Sequence, residues 1–94
     1  MVLRIRSKRD INHPEITKDL ERVGAWVVDT SMVPGFVDLV VGFRGDWYLM
    51  EVKGAVKKLR GKKQIMFHYV CKAMNLPVYV IMDSDEALRT IGAI

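Results

Sequence analysis

Asp38 and the tripeptide Glu51-Val52-Lys53 are the residues of this chain whose types and spacing could do chemistry. Two carboxylates held a few ångströms apart repel, and each raises the other's pKa unless a cation lies between them. A hard divalent metal with oxygen ligands resolves that conflict. An exposed Glu-x-Lys is common on soluble proteins, so these three residues acquire meaning only from the elements that position them.

Those elements read as a β-hairpin. Pro34 to Phe43 and Trp47 to Lys53 are both rich in β-branched and aromatic residues, and Arg44-Gly45-Asp46 separates them as a turn rather than as an adhesion signal. With Arg44-Gly45 at the centre of the turn, Asp38 lies opposite Glu51; with Gly45-Asp46 there, it lies opposite Lys53. Either way Asp38, Glu51 and Lys53 share one face, because strand side chains alternate. Directly opposed residues have Cβ atoms roughly 4.5–5.5 Å apart. Both strands are apolar on both faces, with Val37, Leu39 and Val41 on one and Phe36 and Val40 on the other, and Leu49 set against Met50 and Val52. Such strands are usually covered on both sides. Acids and a lysine in a covered strand are seldom unpaired, and clustered, partly buried charges point to function.

The rest of the chain supplies the frame. Pro14 suits the first turn of a helix capped by Asn12 or His13; Ile16, Leu20 and Val23 form its apolar stripe and Gly24 stops it. Ala25 to Thr30 reads as a strand. Gly54 to about Gly61 is a basic loop or helix start. Gln64 to Met74 is helical, with Met66, Val70 and Met74 on one side and Ile65 and Tyr69 beside them; Asn75 follows as the C′ residue and Pro77 prevents continuation. Val78 to Met82 reads as a buried strand, and Asp83 caps a last helix with Glu86 as capping-box partner. The order α-β-β-β-α-β-α predicts an α/β fold, a mixed central sheet flanked by helices, in a single domain spanning residues 1–94.

Composition narrows the function. Half of the 94 residues are hydrophobic, enough for one small core. No apolar run approaches the roughly 20 residues of a membrane span, and the N-terminus lacks the apolar stretch of a signal peptide. Cys71 is alone, which excludes an intrachain disulfide and fits a reducing cytoplasm; a buried hydrophobe is its expected role. There is no Cys/His spacing for zinc, no Ser-His-Asp or Cys-His constellation for covalent catalysis, and no phosphate-cradling glycine motif. His68, one turn after Gln64, reads as lining that helix face rather than as a metal ligand. Net charge is +4. Arg4, Arg6, Lys8 and Arg9 crowd the N-terminus, and Lys57, Lys58, Arg60, Lys62 and Lys63 follow the Glu-x-Lys with no acid among them. Two basic runs, one immediately after the Glu-x-Lys, point to a polyanion, in the first place a nucleic acid.

Together these residues resemble the PD-(D/E)xK nuclease superfamily, and within it the virus-type replication-repair nuclease (VRR-NUC) domain. The resemblance rests on Glu15 in the first helix, Gly24 before a strand, Pro34-Gly35-Phe36-Val37-Asp38, Glu51-Val52-Lys53, and Gln64 in the following helix. It covers the chain from that first helix to the Val78–Met82 strand. One departure is Val37, which stands where the family often has proline. Archaeal Holliday junction resolvases share the layout. The resemblance implies a restriction-endonuclease-like αβββαβ core. It implies Mg²⁺ or Mn²⁺ held by Asp38, Glu51, the carbonyl of Val52 and Glu15, with Lys53 orienting the attacking water and Gln64 positioning lysine, water or phosphate.

The expected activity is metal-dependent cleavage of DNA, selective for structure rather than sequence, since the basic runs suit phosphate contacts and no base-reading module is evident. A branched substrate such as a Holliday junction fits, in the cytoplasm of a bacterial or phage-infected cell. One short chain offers one site, so two opposed cuts imply a homodimer. The alternatives are a non-catalytic DNA-binding module on the same fold, or a flap, single-strand or RNA-directed nuclease of the superfamily.

Overall fold

The computed structural model describes residues 13–53 and 62–94. Within them α1 (His13–Arg22), β1 (Trp26–Asp29), β2 (Leu39–Phe43), β3 (Asp46–Val52), α2 (Lys62–Ala73), β4 (Tyr79–Ile81) and α3 (Ser84–Thr90) follow one another, in the order read from the sequence. The strands form one four-stranded sheet, β1-β2-β3-β4. β1 pairs with β2 and β2 with β3 antiparallel, while β3 pairs with β4 in parallel. This is an α/β fold with a mixed sheet flanked by helices, compatible with a restriction-endonuclease-like αβββαβ core.

Local chemistry sets the register. Arg44 and Gly45 both have positive φ, 48° and 89°, the signature of a two-residue type I′ hairpin turn whose twist matches that of the strands. The turn therefore centres on Arg44-Gly45, pairing Phe43 with Asp46 and Leu39 with Met50. The helices end on equally local signals. Gly24 (φ 94°) closes α1: its N–H donates to the Glu21 carbonyl and that of Ala25 to the Leu20 carbonyl, a Schellman motif. Asn75 (φ 59°) does the same for α2, with the Leu76 N–H on the Cys71 carbonyl. Asp83 caps α3 by accepting from the Glu86 N–H at 2.9 Å.

One face of the sheet carries the core. Leu39, Val41, Met50, Val52 and Ile81 are buried there against Ile16 and Leu20 of α1 and Ala87 and Ile91 at α3. Each such aliphatic side chain contributes about 1.5–3 kcal/mol, and Leu20→Ala, which opens a cavity beneath α1, would cost about 2–5 kcal/mol. The chain between the parallel strands runs through α2, which lies on the opposite face: its Gln64 reaches Glu51 and Lys53.

Four expectations change. Val23 is exposed, because it sits past the last turn of α1. β4 is shorter than read and only Ile81 is buried, because it is an edge strand with a partner on one side. Among the described residues the second face is covered at one end only: Trp26 and Trp47 are exposed at the other. The Met66, Val70, Met74 side of α2 and its neighbours Ile65 and Tyr69 are also exposed, and Cys71 is the one fully buried residue described in that helix. Among the described residues no helix is long and apolar enough to cross a membrane.

Candidate active site

Asp38 stands one residue before β2, held from three sides. Its carbonyl accepts the Thr30 N–H at 2.8 Å and its N–H donates to the Met50 carbonyl at 3.1 Å. Its Oδ2 accepts the Val52 N–H at 2.8 Å. Thr30 Oγ1 donates to the Val37 carbonyl at 2.7 Å, and the Val37 side chain is buried. A hydrophobe at this position thus anchors the approach to Asp38 by packing. The carboxylate is fixed on the backbone of the Glu-x-Lys segment itself.

Glu51 points to the same side and is 1% exposed; Lys53 is buried beside it. Glu51 Oε2 receives both Lys53 Nζ, at 3.2 Å, and the side-chain amide of Gln64. Lys53 Nζ also donates to Gln64 Oε1 at 3.2 Å. Glu51, Lys53 and Gln64 therefore close a triangle in which the amide of Gln64 has one orientation only, donating to the acid and accepting from the lysine. Glu51 Oε1 is buried with no hydrogen-bond partner. Burial, and after it the nearby Asp38 charge, push the Glu51 pKa up to about 7 against the opposing pull of Lys53.

His68 completes this cluster. Its Nε2 lies 4.0 Å from Glu51 Oε1 and is likewise buried without a hydrogen-bond partner. Burial, then the charge of Lys53, lowers its pKa. The sequence carries a signal for this placement: four residues after Gln64, His68 must share its helix face.

The structure thus brings together Asp38, Glu51, Lys53 and Gln64, with Val52 bound through its N–H. It does not bring Glu15 to them. Glu15 is exposed on α1, whose buried side packs on the core face, and among the described residues no three His, Cys, Asp or Glu side chains gather as a ready metal cluster. Lys62 and Lys63 are exposed at the start of α2, bordering, with Pro34 and Gly35, a cleft of about 520 Å³ floored by Met66, Phe67 and Val70. Arg4, Arg6, Lys8, Arg9, Lys57, Lys58 and Arg60 lie outside the described residues.

The donor chemistry fits a divalent cation. Asp38 and Glu51 are two carboxylates whose mutual repulsion and burial are only partly offset by one lysine, and Glu51 keeps one buried oxygen unsatisfied. Buried polar atoms without partners are rare and call for an ion, a water or a functional reason. Comparison with protein-family models, with curated proteins and with solved structures finds no match for this chain.

Proposed function

We propose that the protein is a metal-dependent nuclease that hydrolyses phosphodiester bonds in DNA, with branched DNA such as a four-way junction as its substrate. One observation carries the reading. The Glu51 carboxylate is divided, one oxygen tied to Lys53 and Gln64 and the other buried and unpartnered, and the charge of Asp38 acts on the group. Asp38 and Glu51, with the Val52 carbonyl, would hold Mg²⁺ or Mn²⁺. When bound, such an ion acidifies water and polarises a phosphoryl oxygen.

The chain's own residues do the rest. Lys53, held by Glu51 and Gln64, presents its ammonium where it can orient the attacking water and offset charge on the phosphate. Gln64 fixes the lysine against the acid, so that the nucleophile's partner does not wander. Lys62 and Lys63, with the basic residues that precede them, would contact the DNA backbone, positioning it without reading sequence. Resolving a junction needs two opposed cuts, so the active form would be a homodimer. The exposed Ile65, Met66, Tyr69 and Met74 of α2 support that reading as an apolar surface suited to a second copy.

The test is incubation of labelled single-stranded, duplex, flap and four-way DNA with the protein in Mg²⁺, Mn²⁺ or EDTA. Cleavage of the four-way form, dependent on metal and absent in EDTA, is expected. Cleavage of flaps alone would move the substrate class, and metal-independent binding without cutting of any form would make the chain a DNA-binding module. Sedimentation at micromolar concentration should show a dimer; a monomer with and without junction DNA would remove the two-fold arrangement.

A further inference from the structure

We propose that His68 supplies a nitrogen donor to the cation held by Asp38 and Glu51, so that the centre is a mixed nitrogen–oxygen site favouring Mn²⁺ over Mg²⁺. The inference rests on the metal site of the proposed function and adds a ligand to it.

Glu51 Oε2 is already engaged by Lys53 and Gln64, which leaves Oε1 as the oxygen available to an ion. His68 Nε2 faces that oxygen at 4.0 Å, and neither atom has a hydrogen-bond partner although both are buried. The gap is too long for a hydrogen bond, which ends near about 3.2 Å. It does not exceed twice the roughly 2.0–2.2 Å of a metal–imidazole or metal–carboxylate bond, so both atoms are within reach of one ion.

The fold gives the ring few other options. His68 sits one turn beyond Gln64, whose contacts fix that face of α2 over Glu51. Its ring is set edge-on against Phe67, centroids 5.6 Å apart, and Phe67 is in turn edge-on to Phe36 of the loop leading to Asp38. A nitrogen ligand also sets a preference. Mg²⁺ is hard, takes oxygen ligands and gains little from imidazole, whereas transition ions accept it readily. Of the carboxylates named for the site, Glu15 stays exposed on α1, whose buried side packs on the other face of the sheet. His68, and not Glu15, is the further donor that faces the open oxygen of Glu51.

The experiment is a Mn²⁺ titration of the full chain followed by electron paramagnetic resonance, reading both affinity and the nitrogen-14 modulation that a bound imidazole imposes on the ion. The wild type should bind Mn²⁺ and show that modulation. His68→Gln should abolish it and weaken Mn²⁺ binding about tenfold or more, with a smaller loss for Mg²⁺ in competition. The chain has two histidines, so His13→Gln, which should keep the modulation, identifies the ligand even where His68→Gln folds poorly. Mn²⁺ binding that is lost in Glu51→Gln, yet shows no nitrogen modulation in the wild type, would overturn the histidine ligand and leave the metal site standing. No Mn²⁺ binding in any form would overturn both.

Discussion

The two ends of the second sheet face are built from opposite materials. At one end Glu51 and Lys53 are buried under α2, next to Asp38; at the other, Trp26 and Trp47 flank Gly42 and are exposed. The indole of Trp47 lies over that glycine so closely that a Cβ there would come within 3.0 Å of its ring. The usual distribution would put the tryptophans under the helix and the charges in water. Burying an ion pair seldom stabilises a fold relative to an apolar packing of similar volume. The helix is therefore placed over the polar end at a cost in stability, held by the Gln64 triangle and the edge-on contact of Phe36 with Phe67 at 5.4 Å. Burial at this end is made by the helix, not by the sheet, and what it encloses is the candidate site.

Substitutions can break or sharpen that contrast. The largest effect is expected at the buried end: Glu51→Gln or Asp38→Asn should lower cleavage of junction DNA by roughly a thousandfold while DNA binding persists. Cleavage within tenfold of wild type would show that these carboxylates are not the site.

The same Glu51→Gln change should stabilise the metal-free protein, and only at the right pH. The Glu51 pKa is raised from 4.5 to about 7, so the native state holds a proton that the unfolded state has lost across that interval. Wild-type stability then falls as pH rises from about 4.5 to about 7, and the glutamine variant escapes the fall. Urea unfolding in EDTA should show the variant ahead by up to about 3 kcal/mol at pH 8 and level with wild type near pH 4. An advantage independent of pH would mean that Glu51 is not held in a buried, repulsive site.

A smaller effect should come from the basic run that follows Lys53 in the sequence. Neutralising Lys57, Lys58, Lys62 and Lys63 together should weaken binding to every DNA shape. Its salt dependence should flatten by about 0.9 for each duplex phosphate that the variant no longer neutralises. An unchanged slope would mean that the run does not touch the backbone. The smallest effect belongs to the open end. Trp47→Ala should cost about 1 kcal/mol or less, as exposed substitutions do, and leave cleavage unchanged. A drop in cleavage would show that the two ends are coupled.

What is legible in the sequence is local. Arg44-Gly45-Asp46 announces the turn but leaves open whether Asp38 faces Glu51 or Lys53; the positive φ of both Arg44 and Gly45 decides that register. Gly24 and Asn75 announce helix ends, and Asp83 a cap whose partner Glu86 also accepts the Met82 N–H at 2.6 Å. Alternation places Asp38, Glu51 and Lys53 on one face. Periodicity, however, tells which residues share a face and not what covers it. The apolar side of α2 is therefore exposed where a stripe suggests packing, and Val78 to Met82 shrinks to an edge strand. Glu15 has the right residue type on a helix that packs against the other face. The spacing of His68 assigns it to a helix face and no more, because nothing in that spacing shows that Glu51 leaves an oxygen open above it.

The parallel pairing of β3 with β4 also orders events in time. β1, β2 and β3 join their neighbours in the chain and can zip as soon as two turns close, whereas Met50 meets Tyr79 only after α2 has been threaded between them. The nascent meander thus carries Asp38 and Glu51 side by side before Gln64 and His68 arrive. In a chevron at pH 8, Glu51→Gln should accelerate refolding, while Gln64→Ala should act mainly on the unfolding arm. A change at Gln64 confined to the refolding arm would reverse that order. The acids that define the site then act as a kinetic brake on the route to the fold that uses them.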